Sequence, residues 1–328
     1  MKRRGRARAP AAGTICNALA TGIGSAFAID RYTEATVILA DRPIDSDIAG
    51  ESTENRPESS GLTVTGEIAA APDADTRLIE RCVSLVVDAF ADGDDGSDRE
   101  RGEIAFGRVR TESDVAMAAG LKSSSAAANA AVLATLDALG VPIDEEGERG
   151  GESTTPVARV EACRLGVRAA RETGVAVTGA FDDASASMLG GVTITDNTED
   201  ELVVHDTGFE RDVLVWTPAE KAYSADADVE RCRRIAPVAE LVAASARAGD
   251  YERAMTANGF AYCGALGYSP EPMVEALAHV RGVSLSGTGP SVVAVGETER
   301  LEAVREKWSD REGRTWLTTT QTTGARVV

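Results

Sequence analysis

Two stretches of the chain combine residues that hold phosphate with residues that move protons. The first is Gly120-Leu121-Lys122-Ser123-Ser124-Ser125-Ala126, which heads an Ala-rich run stopping at Gly140. A helix N-terminus presents unpaired N–H groups and the positive end of its dipole, which suits a phosphate. Gly120 lets the backbone approach a ligand. The serine hydroxyls can bond phosphate or Mg2+, and Lys122 brings a mobile cation. This is not a Walker A sequence, because G-x-x-x-x-G-K-[ST] occurs nowhere in the chain. Spacing alone leaves a second reading open, an ordinary Ser-capped helix after a Gly turn.

The second stretch is Thr178-Gly179-Ala180-Phe181-Asp182-Asp183, followed by Gly190-Gly191. Adjacent carboxylates repel each other, which raises one pKa and favours a base. By itself the stretch reads more simply as an Asp-capped short helix. A third segment, Leu285-Ser286-Gly287-Thr288-Gly289-Pro290-Ser291, lies between two apolar runs. It is suited to presenting backbone N–H groups, but a lone G-x-G is also a plain tight turn.

Composition removes several other chemistries. The five cysteines are widely spaced and form no C-x-x-C pair, so neither a disulfide framework nor a zinc site is indicated. Only His205 and His279 occur, which disfavours a His triad or a His metal cluster. Proton transfer falls to a carboxylate or a lysine. The net charge of −19 repels a phosphate backbone, so nucleic acid is not expected as a partner. The apolar stretches fall short of the ~18–20 residues a membrane span needs. No secretory-type apolar segment follows the basic N-terminus, and a cytoplasmic protein is expected. Only four of the 34 basic residues are lysines (Lys2, Lys122, Lys221, Lys307). This fits a salt-adapted protein, or simply an acidic protein of Arg-rich composition.

The elements that must position these segments follow from periodicity. The first basic residues read as a ragged start, with strands over 13–40 around a Gly22-Ile23-Gly24 turn. Further strands are expected at 62–68, 104–110, 192–195, 213–216, 283–285, 292–295 and 314–320. Helices are expected at 75–91, 123–139, 156–173, 229–248, 251–265, 272–280 and 299–308. Segments 43–60, 92–98 and 144–155 read as polar loops. The run Asp92 to Asp98 is spaced like a calcium loop without its Glu ligand, so a solvated insertion is the simpler reading. The mixture is α+β with a boundary near 208, giving units 1–208 and 209–328.

Taken together and in this order, the three segments resemble the GHMP kinase superfamily. Gly120 to Ala126 is similar to its phosphate-binding motif P-x-x-x-G-L-G-S-S-A, and Ser286 to Pro290 to its glycine-rich third motif. Ala12-Gly13 occupies the place of the first motif. Lysine in G-L-K-S-S-S-A and the segment T-G-A-F-D-D-A resemble the archaeal-type shikimate kinases. The resemblance runs from about Ala11 to the C-terminus. Two departures stand out. Ala116 replaces the motif proline, which loosens the loop before Gly120. Thr14 replaces the first-motif lysine of mevalonate kinases, which argues against mevalonate.

The resemblance implies two α+β domains, a ribosomal-protein-S5-like one and a ferredoxin-like one, with the active site in the cleft between them. It implies ATP and Mg2+, and transfer of the γ-phosphate to the 3-hydroxyl of shikimate. ATP would be held by Ala116, Met117, Ala118, Ala119, Gly120, Leu121, Lys122, Ser123, Ser124, Ser125 and Ala126, and by the third motif Ser286, Gly287, Thr288 and Gly289. Asp183, seven positions before Gly190, falls where related kinases place the base, with Asp182 as neighbour or substitute. Lys122 would act beside it on the phosphates. Ser124 and Glu172 would meet Mg2+, although Glu172 read by itself is equally a solvated helix-end carboxylate. For the shikimate carboxylate the sequence offers only Lys221 and Arg31, each more simply a surface charge. Alternatives are another small-alcohol kinase of this superfamily, such as a homoserine kinase, and a non-catalytic ligand-binding protein on the same fold.

Overall fold

Alternation at the N-terminus builds the longest strand pair in the protein. In this computed structural model, which describes residues 2–44, 62–91, 104–144, 157–176, 180–220, 222 and 227–328, β1 runs over Lys2–Cys16. Gly5, Ala7 and Ala9 point into the core while Lys2, Arg4 and Arg6 face solvent. This corrects the expectation of a ragged start: R-x-R-x-R is a period-two pattern whose buried positions are merely small. The reason for their size is a neighbouring helix, since a Cβ on Gly5 would sit 2.0 Å from the Ala134 carbonyl oxygen.

β2 (Ile23–Ala40) pairs antiparallel with β1. The chain continues through β3 (Thr63–Ile68), α1 (Arg77–Phe90), β4 (Phe106–Ser113), α2 (Ser123–Leu139), β5 (Ile143–Asp144), β6 (Val157–Ala158), α3 (Arg159–Glu172), α4 (Phe181–Leu189), β7 (Val192–Asp196) and β8 (Glu201–Asp206). It then forms β9 (Asp212–Thr217), α5 (Val229–Arg233), α6 (Ala236–Arg247), α7 (Tyr251–Leu266), α8 (Glu271–Leu277), β10 (Gly282–Leu285), β11 (Val292–Gly296), α9 (Thr298–Ser309), β12 (Arg314–Thr319) and β13 (Arg326–Val327). The helix expected over 229–248 is two, because Pro237 starts α6 afresh.

The first sheet runs β13-β1-β2-β4-β3, with β7 added to β2 and β8 to β7. α2 lies against β1 and β2, covered on its outer side by α1, α3 and α4. A helix buried along most of its length has little polar face to spare, and beyond its serine start α2 is mostly Ala, Val and Leu accordingly. Gly140 ends it in the left-handed conformation. The second sheet runs β10-β11-β9-β12, all antiparallel. With helices after β9 and after β11, it has the β-α-β-β-α-β order of a ferredoxin-like unit. Residue 208 falls between the two sheets, while the C-terminal β13 returns to pair with β1.

Of the loops expected at 43–60, 92–98 and 144–155, all but residues 43, 44 and 144 lie outside the described residues, as do Thr178, Gly179 and Lys221. Among the described residues no helix is long and apolar enough to cross a membrane. All five cysteines are buried and free.

Candidate active site

Two helices begin side by side, and each is preceded by a residue in the left-handed region. Lys122 precedes α2 at φ +63° and Ala180 precedes α4 at φ +55°. Non-glycine residues rarely adopt this conformation, and such strain gathers where a side chain must be aimed. Here it turns Lys122 inward. Its ammonium Nζ lies 2.5 Å from Asp183 Oδ1, and its side chain is only 5% exposed, against 25% for Asp183. The motif lysine and the expected base therefore form one ion pair across the two helix starts.

The first turn of α2 is open to an anion. Among the described residues, no group accepts from the N–H of Ser123, Ser124 or Ser125, and the first bond of the helix is Ala126 N–H to the Lys122 carbonyl. Ser124 is exposed at this end. The third motif closes over it. The Ser286 hydroxyl donates to the Gly120 carbonyl at 2.8 Å. A Cβ on Gly120 would lie 2.2 Å from the Ser286 carbonyl oxygen, so the close approach and the positive φ of +77° both require glycine. A Cβ on Gly287 would sit 3.1 Å from Lys122 Nζ. The second and third motifs, far apart in sequence, thus form one wall.

The first motif joins them. Ala12 N–H donates to the Leu121 carbonyl. Gly287 N–H donates to the Thr14 hydroxyl at 2.7 Å, so Thr14 serves as a hydrogen-bond acceptor for the third motif. Asn17 was not anticipated. Its Nδ2 donates to the Gly287 carbonyl, and its own N–H donates to Oδ1 of Asn258 on α7. Asn129, also unanticipated, sits on α2 and donates to the Ala184 carbonyl of α4, fastening the two helices together. A buried asparagine inside an Ala-rich run was the one visible signal, since such a side chain needs a partner.

The Asp-Asp pair divides its work. Asp182 is 5% exposed. Burial pushes its carboxyl up to about 7, and the Asp183 charge adds to the shift. The acid that is raised is therefore the enclosed Asp182, while Asp183 is the one that faces Lys122. Neither caps α4: Ala180 occupies that position and both aspartates lie in the first turn, which corrects the simple capping reading.

Other expected residues stand elsewhere. Ala116, Met117, Ala118 and Ala119 lead into Gly120, and the Ala118 carbonyl accepts from Ala222 N–H. Glu172 closes α3, where Arg81 and Arg168 hold its carboxylate at 2.5 and 2.8 Å and keep it below the usual carboxylate range. The structure records no contact between Glu172 and Ser124 or Asp183. Arg31 lies over the Trp316 ring and donates to the Leu317 carbonyl, which ties β2 to β12.

Residues 78–191, which carry α1 through α4, match the GHMP kinases N terminal domain. Over 323 residues the chain is 56% identical to the shikimate kinase of Halobacterium salinarum, covering 98% of this chain and 99% of that one. The chain belongs to the archaeal shikimate kinase family of GHMP kinases. A second family member, the shikimate kinase of Methanosarcina mazei, is 46% identical over 324 residues, 98% of this chain and 96% of that one. Among solved structures, the homoserine kinase of Cytophaga hutchinsonii superposes with a TM-score of 0.69 at 16% identity, over 100% of this chain and 98% of the other. That likeness carries the GHMP kinase fold. In the GHMP frame, the pairing of Lys122 with Asp183 lies beside the open N-terminus of α2.

Proposed function

We propose that the protein is a shikimate kinase, transferring the γ-phosphate of ATP to the 3-hydroxyl of shikimate. The observation that carries the chemistry is the Lys122–Asp183 pair at the open end of α2. The substrate is carried by the likeness to archaeal shikimate kinases over nearly the whole chain. The division of labour is an N-terminal unit, 1–208, that holds ATP and the base, and a C-terminal unit, 209–328, that presents the third motif.

The phosphates of ATP lie against the free N–H groups of Ser123, Ser124 and Ser125, beneath the Ser286–Gly289 turn. There the helix dipole and the backbone stabilise charge without reorganising. Asp183 accepts the proton of the 3-hydroxyl as its oxygen attacks the γ-phosphorus and the bond to the ADP oxygen breaks. Lys122 Nζ stabilises the charge that spreads over the transferred group. Asp182 is too enclosed to meet a substrate, which leaves Asp183 as the base.

Mg2+ usually keeps several waters and few protein ligands beside substrate phosphates. The exposed Ser124 hydroxyl fits such a role, whereas Glu172 would first have to leave two guanidinium groups. When bound, the ion neutralises phosphate charge. An ADP-release assay in high-salt buffer with ATP and Mg2+ tests the function, with shikimate, homoserine and mevalonate in parallel. Turnover with shikimate alone is expected. Turnover with homoserine instead would move the protein to the other small-alcohol kinases, and ATP binding without turnover on any of the three would make it a binding protein.

A further inference from the structure

We propose that Asn197 is a positioning residue for the base, acting through Asp182; the inference rests on the reading of Asp183 above. Asn197 lies one residue beyond β7 and is 5% exposed. Its Oδ1 accepts from the Asp182 N–H at 3.0 Å and from the Thr195 hydroxyl at 2.8 Å. Its Nδ2 donates to Asp182 Oδ1 at 2.7 Å. The amide has only one orientation that satisfies all three, because a backbone N–H can only donate and must face the oxygen. One side chain thus grips both the main chain and the carboxyl of Asp182.

The other side of Asp182 is closed as well, since a Cβ on Gly24 would lie 2.4 Å from Oδ2. Asp182 has no freedom to rotate between strand β2 and Asn197. Because Asp183 is the next residue on the first turn of α4, fixing Asp182 fixes the direction in which Asp183 leaves the helix toward Lys122. Closing the turn after β7 does not need this amide. The main chain does that itself, through Asn197 N–H to the Gly22 carbonyl. The side chain is spent wholly on Asp182 and Thr195.

The groups that bear on Asp182 are Asp183 of α4, Lys122 before α2, the Cys16 thiol of β1 and Tyr262 of α7, with Arg247 of α6 bearing on Cys16 and Asp196. Among the groups bonded to its carboxyl, the Asn197 amide is a neutral donor that serves at every pH.

The test uses the full-length enzyme with Asn197→Ala, Asn197→Asp and Asp183→Asn, each assayed well below its melting temperature. Asn197→Ala is expected to lower kcat by about 10–100-fold while KM for ATP and shikimate changes by less than about 3-fold, as for a misaimed catalytic group. Asn197→Asp keeps the acceptor, but the introduced carboxyl and that of Asp182 can hydrogen-bond only while one of the two holds a proton. Its kcat should approach wild type near about pH 6 and fall at least ~10-fold further behind by about pH 8.5. If Asn197→Ala merely lowers the melting temperature with kcat intact, or if the deficit of Asn197→Asp is the same at every pH, the positioning role is wrong. An Asp183→Asn variant that turns over normally would instead remove the base assignment itself. Should Asn197→Ala fail to fold, the pH profile of Asn197→Asp decides.

Discussion

Lys122 Nζ and Asp183 Oδ1 lie 2.5 Å apart, although they begin two different helices. The lysine is buried, and its ammonium lies between the carboxylate and the wall of the third motif. This contact joins the segment proposed to hold phosphate to the one proposed to accept the proton, and on that reading it makes their contributions interdependent.

That interdependence can be measured. Asp183→Asn and Lys122→Met should each lower kcat by about 100-fold or more. Because the two act as a unit, the double variant should be scarcely worse than either single one. ATP affinity of Asp183→Asn, read by equilibrium binding, should stay within a few-fold. Additive losses in the double variant would mean that the residues work separately.

Gly120→Ala should damage both stability and activity. The new Cβ would lie 2.2 Å from the Ser286 carbonyl oxygen and 2.8 Å from that of Gly289, at a backbone φ of +77°. A loss of roughly 2–4 kcal/mol is expected from strain and forced separation of the two motifs. Urea unfolding midpoints at constant slope provide the check. A variant of wild-type stability would show that the two turns are not in contact in solution.

Stability should carry a pH signature of Asp182. Its folded-state carboxyl is raised from 3.8 to about 7 by burial, so the folded state holds its proton more tightly than the unfolded chain does. The associated stabilisation is complete below about pH 4 and is lost as pH rises toward 7. Asp182→Asn preserves an acceptor for the Asn197 amide but cannot ionise. The stability of wild type minus that of Asp182→Asn should therefore fall between about pH 4 and pH 7. Unfolding free energies of both proteins at several pH values test this, and a difference independent of pH would contradict it.

Salt should stabilise the protein. A net charge of −19 makes the folded state repel itself, and molar salt shortens the range of that repulsion to a few ångströms. The melting temperature should rise clearly from dilute buffer to molar KCl. An unchanged value would mean that the surface charges are already locally compensated.

How far the chain could be read depended on the range of the interactions. Gly120 to Ala126 and the helix after it were legible because capping, propensity and the Gly140 stop are local. Lys2–Ala9 carried a strand pattern as plain as any, but its buried positions are Gly and Ala, so hydrophobicity alone underweighted it. Glu172 shows what the sequence leaves out: Arg81, on another helix, holds its carboxylate, a contact that no spacing along the chain indicates.

The sequence by itself determined the family, the Ser-rich helix start, the glycine-rich turn and the presence of an Asp-Asp pair, because each of these is written in consecutive residues. The tertiary structure alone decided which aspartate faces Lys122 and which is enclosed. It also decided that Thr14, Asn17, Asn129, Asn197 and Asn258 brace the motifs. Their hydrogen bonds connect positions as distant as 17 and 287. Hydrogen bonds are short and directional, so they depend on where the chain returns in space, and spacing along the sequence leaves that undetermined.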